Sequence, residues 1–371
     1  MTDLPETMRA VVLTGHGGLE KLVYREDWPT PRPGPGEVVI KVGACGLNTT
    51  DINTRTAWYS DKVTGAMTDA GGAGGFAEAE AAKGTWGGQP LTFPRIQGAD
   101  VAGRIAAVGA GVDPARIGER VIVDPWLLGL GDWNNPANTA YFGSECDGGF
   151  AEYTKVRSEN ALKIESALSD AELAALPCTL HTAETLVMRT EPVPGETAVI
   201  AGASGGVGTA AVQLAKLRGA RVLGIAKAAK AQTLLDLGAD AVVDREAPDL
   251  TAAIRQAAGG PVDVAIDVVG GPMFMPLLEA LRHGGRYAAS GAIAGPMVEV
   301  NLRTFYYRDL QLRGATITPP GTMARLVKVV ERGQIQPMLA ATFPLKDLAK
   351  AQEAFLEKRH VGNMVLTVEG A

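Results

Sequence analysis

The stretch AGASGGVGTAAVQLA, residues 201–215, constrains the fold more than any other part of the chain. The short apolar run TAVIA leads into it, and a helix-like pattern follows it. A strand, a glycine-rich turn and a helix in this order are typical of a dinucleotide-binding βαβ unit. Gly205 and Gly206 would let backbone N–H groups approach a pyrophosphate at the helix N-terminus, and Gly208 would allow close packing of the helix on the strand. The alternative is a tight turn that binds no ligand.

Strands and helices alternate on both sides of this loop from about Ser169 onwards. The runs ARVLGIA, ADAVVD, PVDVAIDVVG and RYAASGA are predicted strands, and AAKAQTLLDLG and GPMFMPLLEALRHGG are predicted helices. Such alternation predicts a parallel sheet built from βαβ units. The last part of the chain, with two helices and the strand NMVLTV, no longer alternates in this way. We expect it to return to the first domain.

The first part of the chain has a different sequence pattern, in which short predicted strands are separated by Gly and Pro. It predicts a β-rich, barrel-like domain, so the expected fold class is α/β with two domains. The glycine-rich residues 60–93 interrupt this domain and are predicted to form a surface insertion, with a short helix in FAEAEAAKG. The alternative is a lid over a pocket. The expected domains are 1–165 with this insertion, 166–317, and 318–371 as the return segment.

Composition excludes several classes of function. The 371-residue chain has a net charge of −6 and no basic tract, which argues against a nucleic-acid partner. Its three cysteines form no CxxC pair, so a reducing cytoplasm is expected. The first residues have no apolar signal region. The uncharged residues 197–215 contain four glycines and a change of pattern, so no membrane span is predicted.

The second strand of the βαβ region distinguishes between two dinucleotides. A site for NAD places Asp or Glu at the end of this strand, where it binds the ribose 2′-hydroxyl. Here the strand runs into KAAK, with Lys227 and Lys230 and no acid before Asp236. Two lysines suit a 2′-phosphate, so NADP(H) is the predicted cofactor. The alternative is that both lysines are only solvated residues at a helix start.

Several segments together resemble the medium-chain dehydrogenase/reductase superfamily. They are AGASGGVGTAAVQLAK, IDVVGG, HVGNMVL, GADVAGRIAAVG and DGGFAEYTKV. The resemblance covers nearly the whole chain apart from residues 60–93 and 125–142. It implies a GroES-like catalytic domain built from both ends of the chain and a Rossmann domain between them. The cleft between the two would hold the nicotinamide.

Zinc-dependent members of this superfamily carry metal ligands that this chain lacks. Their Cys in C-H-x-D is replaced by Asn48 in NTTD, and their G-H-E motif is replaced by GAD, with Ala99 and Asp100. The third ligand position matches Cys178, which is expected to be a small buried residue. One thiolate does not make a catalytic zinc site. His181 could in principle recruit a metal, but a structural hydrogen bond is the expected role, so no metal site is predicted.

The stretch GLNTTDINTRTAWY is similar to the G-L-N-x-x-D-x-x-x-R motif of the zinc-less quinone oxidoreductases, the zeta-crystallin-like branch. The resemblance implies that Asn48 lies near the nicotinamide and the substrate. Asp51 and Arg55 would shape the pocket or pair with each other, the alternative being a purely structural ion pair. Tyr59 would bind the substrate oxygen or donate a proton. The alternative for Tyr59 is a rim aromatic that the insertion displaces.

The resemblance also assigns residues to the cofactor site. Thr182 matches a threonine near the nicotinamide, and Lys230 and Lys358 match basic residues that reach the 2′-phosphate. Asp244 stands where a relative can place Tyr against the adenosine, and Asn363 replaces a common Lys. The complete predicted cofactor set is Asn48, Thr182, Ser204, Gly205, Gly206, Val207, Lys227, Lys230, Val269, Ser290, Lys358 and Asn363.

These observations favour an NADPH-dependent, zinc-independent oxidoreductase that transfers hydride to a quinone or an α,β-unsaturated carbonyl. The expected catalytic residues are Asn48, Asp51 and Tyr59. Two alternatives remain: an alcohol/aldehyde dehydrogenase with an unusual metal site at Asp100, Cys178 and His181, and a non-enzymatic NADP-binding scaffold or sensor. The expected partner is a small-molecule substrate. A homodimer is also expected, because the family often pairs Rossmann domains along an edge strand, here QLRGATI.

Overall fold

The computed structural model describes residues 4–67, 69–76, 90–128, 135 and 138–368. Within these residues the chain forms strands and helices that give a mixed α/β fold, so the predicted fold class is confirmed. The strands in chain order are β1 (Thr7–Leu13), β2 (Leu22–Pro29), β3 (Glu37–Leu47), β4 (Arg95–Ile96), β5 (Asp100–Val108), β6 (Arg120–Val123), β7 (Trp126–Leu128), β8 (Thr139–Tyr141), β9 (Tyr153–Arg157), β10 (Ala161–Lys163), β11 (Thr197–Ala201), β12 (Arg221–Ala226), β13 (Ala241–Asp244), β14 (Val262–Asp267), β15 (Leu281–Ala289), β16 (Gln311–Gly314), β17 (Leu339–Pro344) and β18 (Asn363–Thr367).

Helices connect and cover these strands. In chain order they are α1 (Thr49–Thr56), α2 (Asp69–Gly74), α3 (Asp170–Ala174), α4 (Pro177–Thr190), α5 (Gly206–Leu217), α6 (Ala231–Asp236), α7 (Leu250–Ala258), α8 (Phe274–Ala280), α9 (Leu302–Tyr306), α10 (Thr322–Glu331) and α11 (Leu348–Leu356). No helix in the described ranges is long and apolar enough to cross a membrane.

Strands from both ends of the chain share one largely antiparallel sheet. Its order is β10-β6-β5-β3-β18-β17, and β9 also pairs with β3. The eleven-residue β3 makes this possible, because its first half pairs with β9 and its last residues pair with β18. Two smaller sheets, β2-β1-β4 and β7-β8, belong to the same part of the molecule. The C-terminal strands therefore complete the β-rich unit that the N-terminal residues begin.

The middle of the chain forms a six-stranded parallel sheet in the order β13-β12-β11-β14-β15-β16. Its helices lie on both faces, which explains why β11 and β12 are almost continuously apolar and buried. Helix α4 packs between this sheet and the β-rich unit, since its residues Leu180 and Ala183 share one apolar core with Ala102 and Ile122. Helix α4 therefore lies at the boundary between the two units, where the resemblance places the cleft.

One predicted helix boundary is wrong. The run GPMFMPLLEALRHGG was predicted as a helix, but α8 ends at Ala280 and β15 begins at Leu281. Gly284 has a φ of +71°, a left-handed conformation that a helix cannot continue. Leu281 already pairs with Val262 of β14, and the register shifts before the pairing resumes.

The insertion is more integrated than predicted. Val63, Met67 and Leu91 are buried, and the first two belong to the apolar core of the β-rich unit. The backbone N–H of Met67 also donates to Ile293 O, 2.9 Å away, in the loop that follows β15 of the parallel sheet. The described parts of residues 60–93 therefore join the core and touch both units. The predicted helix in FAEAEAAKG lies outside the described residues after its first residue, Phe76.

Candidate functional site

The glycine loop between β11 and α5 leaves its backbone accessible. Gly205 caps the N-terminus of α5 in an extended conformation, and a Cβ at this position would meet only Gly202 O, at 3.6 Å. Gly208 differs, because a Cβ there would collide with Gly202 O and Ala203, so glycine is needed where the helix crosses the loop. Free N–H groups at the start of a twelve-residue helix favour an anion. The loop therefore suits a dinucleotide pyrophosphate, with Ser204, Gly205, Gly206 and Val207 around it.

The C-terminal segment closes one side of this loop. The N–H of Gly362 donates to Ser204 O at 2.9 Å, and Gly362 forms an isolated bridge with Gly205. The buried side chain of Asn363 lies so close to Gly206 that a Cβ on this glycine would overlap with Asn363 Oδ1. Asn363 therefore holds the loop in position and leaves the open side at Gly205.

A cluster of basic groups lies beyond the carboxyl end of β12. Lys230 Nζ donates to the carbonyl oxygens of Lys358, at 2.9 Å, and His360, at 2.5 Å, while Lys227 is exposed. Burial and the neighbouring Lys230 lower the pKa of Lys358 to about 8, and its Nζ lies 3.9 Å from the centre of the Phe355 ring. Burial and the two lysines likewise lower the pKa of His360 to about 4. The cluster is an electropositive site that a bound anion would stabilise.

The chain places an acid on the opposite side of this cluster. Asp244 ends β13 directly beside Ala226 of β12, in register with it. Its Oδ1 accepts a hydrogen bond from the N–H of Glu246. Arg245 lies close enough to Lys230 to lower the pKa of the lysine, after the larger effect of burial. The site therefore combines one carboxylate at its edge with five basic side chains, those of Lys227, Lys230, Arg245, Lys358 and His360.

Asn48 and Asp51 form a capping box at the entrance to α1. Asn48 follows the last residue of β3, and its backbone N–H donates to Asp51 Oδ2 at 2.8 Å. A capping box satisfies the free N–H groups at a helix start and fixes the direction of the chain. Both side chains are buried. Burial raises the pKa of Asp51 to about 7, although N–H groups of Asn48 and Gly98 oppose the shift.

Asp100 is the centre of the site. Its Oδ2 accepts a hydrogen bond from Asn48 Nδ2 at 2.9 Å, and its Oδ1 accepts one from the backbone N–H of Cys178 at 2.7 Å. Cys178 is the second residue of α4, so this carboxylate also caps α4. Burial raises the pKa of Asp100 to about 8, against the opposing effect of these two hydrogen bonds. Asp100 thereby fixes the amide of Asn48 relative to α4.

The donor set at this position does not fit zinc. The three residues that stand at the metal-ligand positions are Asn48, Ala99 and Cys178. An amide, a methyl group and a thiol whose pKa is raised by burial and by the charge of Asp100 do not form a tetrahedral zinc site. Both oxygens of Asp100 already accept hydrogen bonds. Throughout the described ranges, no three His, Cys, Asp or Glu side chains group as metal ligands.

An aromatic wall adjoins Cys178. Trp126 and Tyr141 meet edge to face with ring centres 4.9 Å apart, and both belong to a small apolar cluster with Ala99 and Cys178. His181, one turn further along α4, lies behind this wall, and its Nε2 is 2.8 Å from Thr318 Oγ1. Burial lowers the pKa of His181 to about 3, so the imidazole is neutral and acts as a structural hydrogen-bonding group.

Other predicted residues lie around the same cleft. Tyr59 is partly exposed, and its hydroxyl donates to Thr50 Oγ1 at 3.2 Å. Thr182 follows the first turn of α4, and its side chain hydrogen-bonds with the thiol of Cys178. Val269 and Ser290 follow the carboxyl ends of β14 and β15. Asp267 fixes the position of both residues. Its Oδ1 accepts a hydrogen bond from the N–H of Val269 at 2.7 Å, and its backbone oxygen accepts one from the N–H of Ser290 at 3.0 Å.

Arg55 does not pair with Asp51, so this expectation is wrong. The Arg55 side chain is fully buried, and its Nε donates to Gln352 Oε1 at 2.8 Å. Its Nη1 and Nη2 donate to the carbonyl oxygens of Gly17, at 2.7 Å, and Gly72, at 2.5 Å. The carboxylate of Asp51 turns back to the start of its own helix instead. Arg55 therefore holds α11 and the insertion to α1, and it lies away from the cleft.

Comparisons with known proteins identify the family of the chain. Residues 34–166 match the family of alcohol dehydrogenase GroES-like domains, and residues 206–332 match the family of zinc-binding dehydrogenases. The crystal structure of a "putative alcohol dehydrogenase" from Sinorhizobium meliloti 1021 is 44% identical, with a TM-score of 0.88 over 99% of this chain and 98% of that one. The chain belongs to the medium-chain dehydrogenase/reductase superfamily.

Two curated relatives of this superfamily member are similar over nearly their whole length. Acryloyl-coenzyme A reductase from Metallosphaera sedula is 28% identical over 97% of this chain and 100% of its own. Quinone oxidoreductase from Homo sapiens is also 28% identical, over 97% of both chains. The protein is therefore an oxidoreductase of the quinone oxidoreductase-like type. Members of the superfamily bind a nicotinamide cofactor, which the loop at Gly205 is built to receive.

Sequence reasoning did not identify the central role of Asp100 or the wall formed by Trp126 and Tyr141. Asp100 stood out only as a replacement for a glutamate and as a candidate ligand in the alternative metal site. The available signal was an acid that follows an alanine and precedes an apolar strand. Such an acid is expected to be buried, and a buried acid needs hydrogen-bond donors from elsewhere in the fold. Trp126 and Tyr141 lie in a stretch that the resemblance did not cover, so only the structure places them.

We expect Asp100→Asn to flatten the pH dependence of stability. The folded carboxyl has a pKa of about 8, whereas in the unfolded chain it titrates near about 4. The folded state therefore binds more protons between these values, and its free energy of unfolding falls as the pH rises through this window. Urea unfolding at several pH values should show that wild type loses at least about 1 kcal/mol relative to the variant between about pH 5 and 8. Parallel pH profiles for the two proteins would contradict this.

Proposed function

We propose that the protein is an NADPH-dependent, zinc-independent reductase of quinones or α,β-unsaturated carbonyl compounds. The main support for the proposal is the hydrogen bonding of Asp100. Its two oxygens accept hydrogen bonds from Asn48 Nδ2 and from the backbone N–H of Cys178. This arrangement occupies the place where the zinc-dependent branch holds its metal. It leaves a hydrogen-bonding site suited to acceptors that need no Lewis acid.

The proposed acceptors match what the side chains can stabilise. The nicotinamide cofactor supplies a hydride when bound. Hydride transfer to a quinone or to the β-carbon of an enone leaves negative charge on an oxygen, and a positioned hydrogen-bond donor can stabilise that charge. Asn48 is the buried amide at the cleft, and Tyr59 is the partly exposed phenol beside it. We assign Tyr59 as the proton donor and Asn48 as a group that orients cofactor and substrate.

The relatives support both acceptor classes. Acryloyl-coenzyme A is an α,β-unsaturated thioester, and quinones contain the same conjugated carbonyl unit. The similar proteins named after these substrates match the chain over almost its whole length. A conjugated carbonyl compound is therefore the substrate class to test first.

NADP(H) is the proposed cofactor because of the basic cluster beyond β12. The exposed Lys227, together with Lys230 and Lys358, would lie near a ribose 2′-phosphate, which suits ammonium groups. The lowered pKa of Lys358 supports this, since an anion would offset the repulsion from Lys230. The proposed residues for the rest of the dinucleotide are Ser204, Gly205, Gly206, Val207, Thr182, Val269, Ser290 and Asn363.

The test of function is oxidation of NADPH by a panel of quinones and enones, before and after treatment with a chelator. We expect turnover with at least one class and no loss on chelation. Loss on chelation together with stoichiometric zinc would favour the alcohol/aldehyde alternative, with Asp100, Cys178 and His181 as ligands. Binding of NADPH without turnover of either class would favour a scaffold or sensor.

Lys227→Ala should weaken binding of the 2′-phosphate. One charge-assisted hydrogen bond contributes about 1.5–3 kcal/mol, so the Kd for NADPH should rise about tenfold or more, and that for NADH less than about twofold. Titration calorimetry with both dinucleotides measures this. Lys350→Ala, which removes an equally exposed lysine from α11, is the matched control. Equal losses for NADPH and NADH in the Lys227 variant would refute the assignment.

We propose a homodimer formed along β16, the edge strand of the parallel sheet. Beside it lies an exposed apolar surface that includes Leu302, 66% exposed, and Tyr307, 68% exposed. Light scattering should show a dimer for the wild type and a monomer for Leu302→Asp combined with Tyr307→Asp. Val193→Asp, at an exposed apolar residue elsewhere, is the control. A monomeric wild type excludes the proposal.

The cytoplasm is the proposed compartment. Cys45, Cys146 and Cys178 are all free thiols, which suits a reducing environment.

A further inference from the structure

Two polar groups beside α1 are buried and lack partners among the described residues. Gln97, 2% exposed, donates its Nε2 to Asp51 O at 2.9 Å, but its Oε1 accepts no hydrogen bond within these ranges. Ser144, 4% exposed, has an equally unpartnered Oγ. Each such group costs about 1–3 kcal/mol when it is left unsatisfied. Buried polar groups of this kind normally bind protein or an ordered water.

Both residues line the same small pocket. It lies between the first turns of α1 and the turn after β8, and it also contains Thr50, Asp51 and Tyr141. The pocket has space for about one water molecule, and it offers more than the two polar partners that a buried water needs. The geometry therefore meets the requirements of a single-water site.

The pocket connects with the cleft through one hydroxyl. Thr50 lines the pocket, and its Oγ1 accepts the hydrogen bond from the Tyr59 hydroxyl at 3.2 Å. Asp51, the next residue, lines the pocket as well. A water in the pocket is therefore the missing link between the phenol at the cleft and the carboxyl at the base of α1.

We propose that the pocket of Thr50, Asp51, Gln97 and Ser144 binds one water, which relays a proton from Asp51 through Thr50 to Tyr59. This inference rests on the proposed function. Tyr59 gives its hydroxyl proton to the enolate that hydride addition leaves, and so forms the C–H or O–H bond of the product. Thr50 returns a proton to the phenolate and takes one from the water. The water takes one from the carboxyl of Asp51, which is protonated again by solvent.

Asp51 is suited to the end of such a relay. Burial raises its pKa to about 7, so a large share of the carboxyl carries a proton near neutral pH. The groups that face it are Asp100 and Cys45 on neighbouring strands, Cys178 on α4, and Tyr59 and Tyr141 beside the pocket. All of them are neutral or acidic, so none stabilises the ionised form of Asp51.

The first experiment detects the water without any assay of activity. A high-resolution crystal structure of the wild-type protein should show a water within hydrogen-bonding distance of both Gln97 Oε1 and Ser144 Oγ. Ser144→Val fills the same space with an apolar side chain and should remove it. A wild-type pocket that contains no water at this position overturns the proposal, whatever reaction the enzyme catalyses.

The second experiment tests the relay with the best substrate of the quinone and enone panel. Thr50→Val removes the hydroxyl at nearly constant shape, and kcat should fall at least about tenfold with little change in KM. The solvent deuterium isotope effect on kcat should rise. Thr50→Ser restores the hydroxyl and should recover most of the rate. The control is Thr154→Val, which removes another buried hydroxyl that lacks a partner among the described residues, on β9 and away from the pocket.

The outcomes separate the two proposals. Absence of turnover in the unaltered protein refutes the proposed function, and the crystallographic result still decides whether the water site exists. If the wild-type protein turns over substrate and Thr50→Val has the same kcat as the Thr154→Val control, the relay is refuted but the proposed function is not. An unchanged isotope effect, or equal rates for the Val and Ser variants, shows that Thr50 has only a structural role.

Discussion

The carboxylate of Asp100 holds the two halves of the molecule in register. It lies at the start of β5, accepts the amide of Asn48 from the end of β3, and caps α4 through the N–H of Cys178. Helix α4 packs in turn on α5, which begins at the glycine loop. A buried carboxylate is unfavourable without donors, so these hydrogen bonds are obligatory. The position of the proposed substrate site relative to the cofactor loop therefore depends on one side chain.

A second buried side chain, that of Arg55, is also held by hydrogen bonds to distant parts of the chain. Its guanidinium is held by Gln352 Oε1 and by backbone carbonyls of the N-terminal loop and the insertion, and burial lowers its pKa to about 10. Both side chains are hydrogen-bonded to neutral amide and carbonyl groups rather than to a charged partner. Loss of either side chain would leave several buried groups unsatisfied, each at a cost of about 1–3 kcal/mol. The helix that carries Asn48 and Asp51 is thus fixed from both ends.

The features that could be predicted from sequence are local. The loop around Gly205 was identifiable because strand, glycine and helix follow one another within a few residues. The partners of Asp100 and Arg55 were not predictable, since 78 residues separate Asp100 from Cys178 and 297 separate Arg55 from Gln352. The integration of the insertion was missed for a related reason. Its glycines suggested an exposed segment, but Gly72 packs closely against the side chain of Leu356 on α11.

The pairing of β3 with β18 has a consequence for how the protein matures in the cell. Leu47 pairs with Met364, so the central sheet of the β-rich unit is complete only when residues 363–367 have been synthesised. The parallel sheet, by contrast, is formed from a continuous stretch and can fold while translation continues. Because Gly362 and Asn363 also contact the glycine loop, this side of the proposed cofactor site is completed only after residue 363 has been added to the chain.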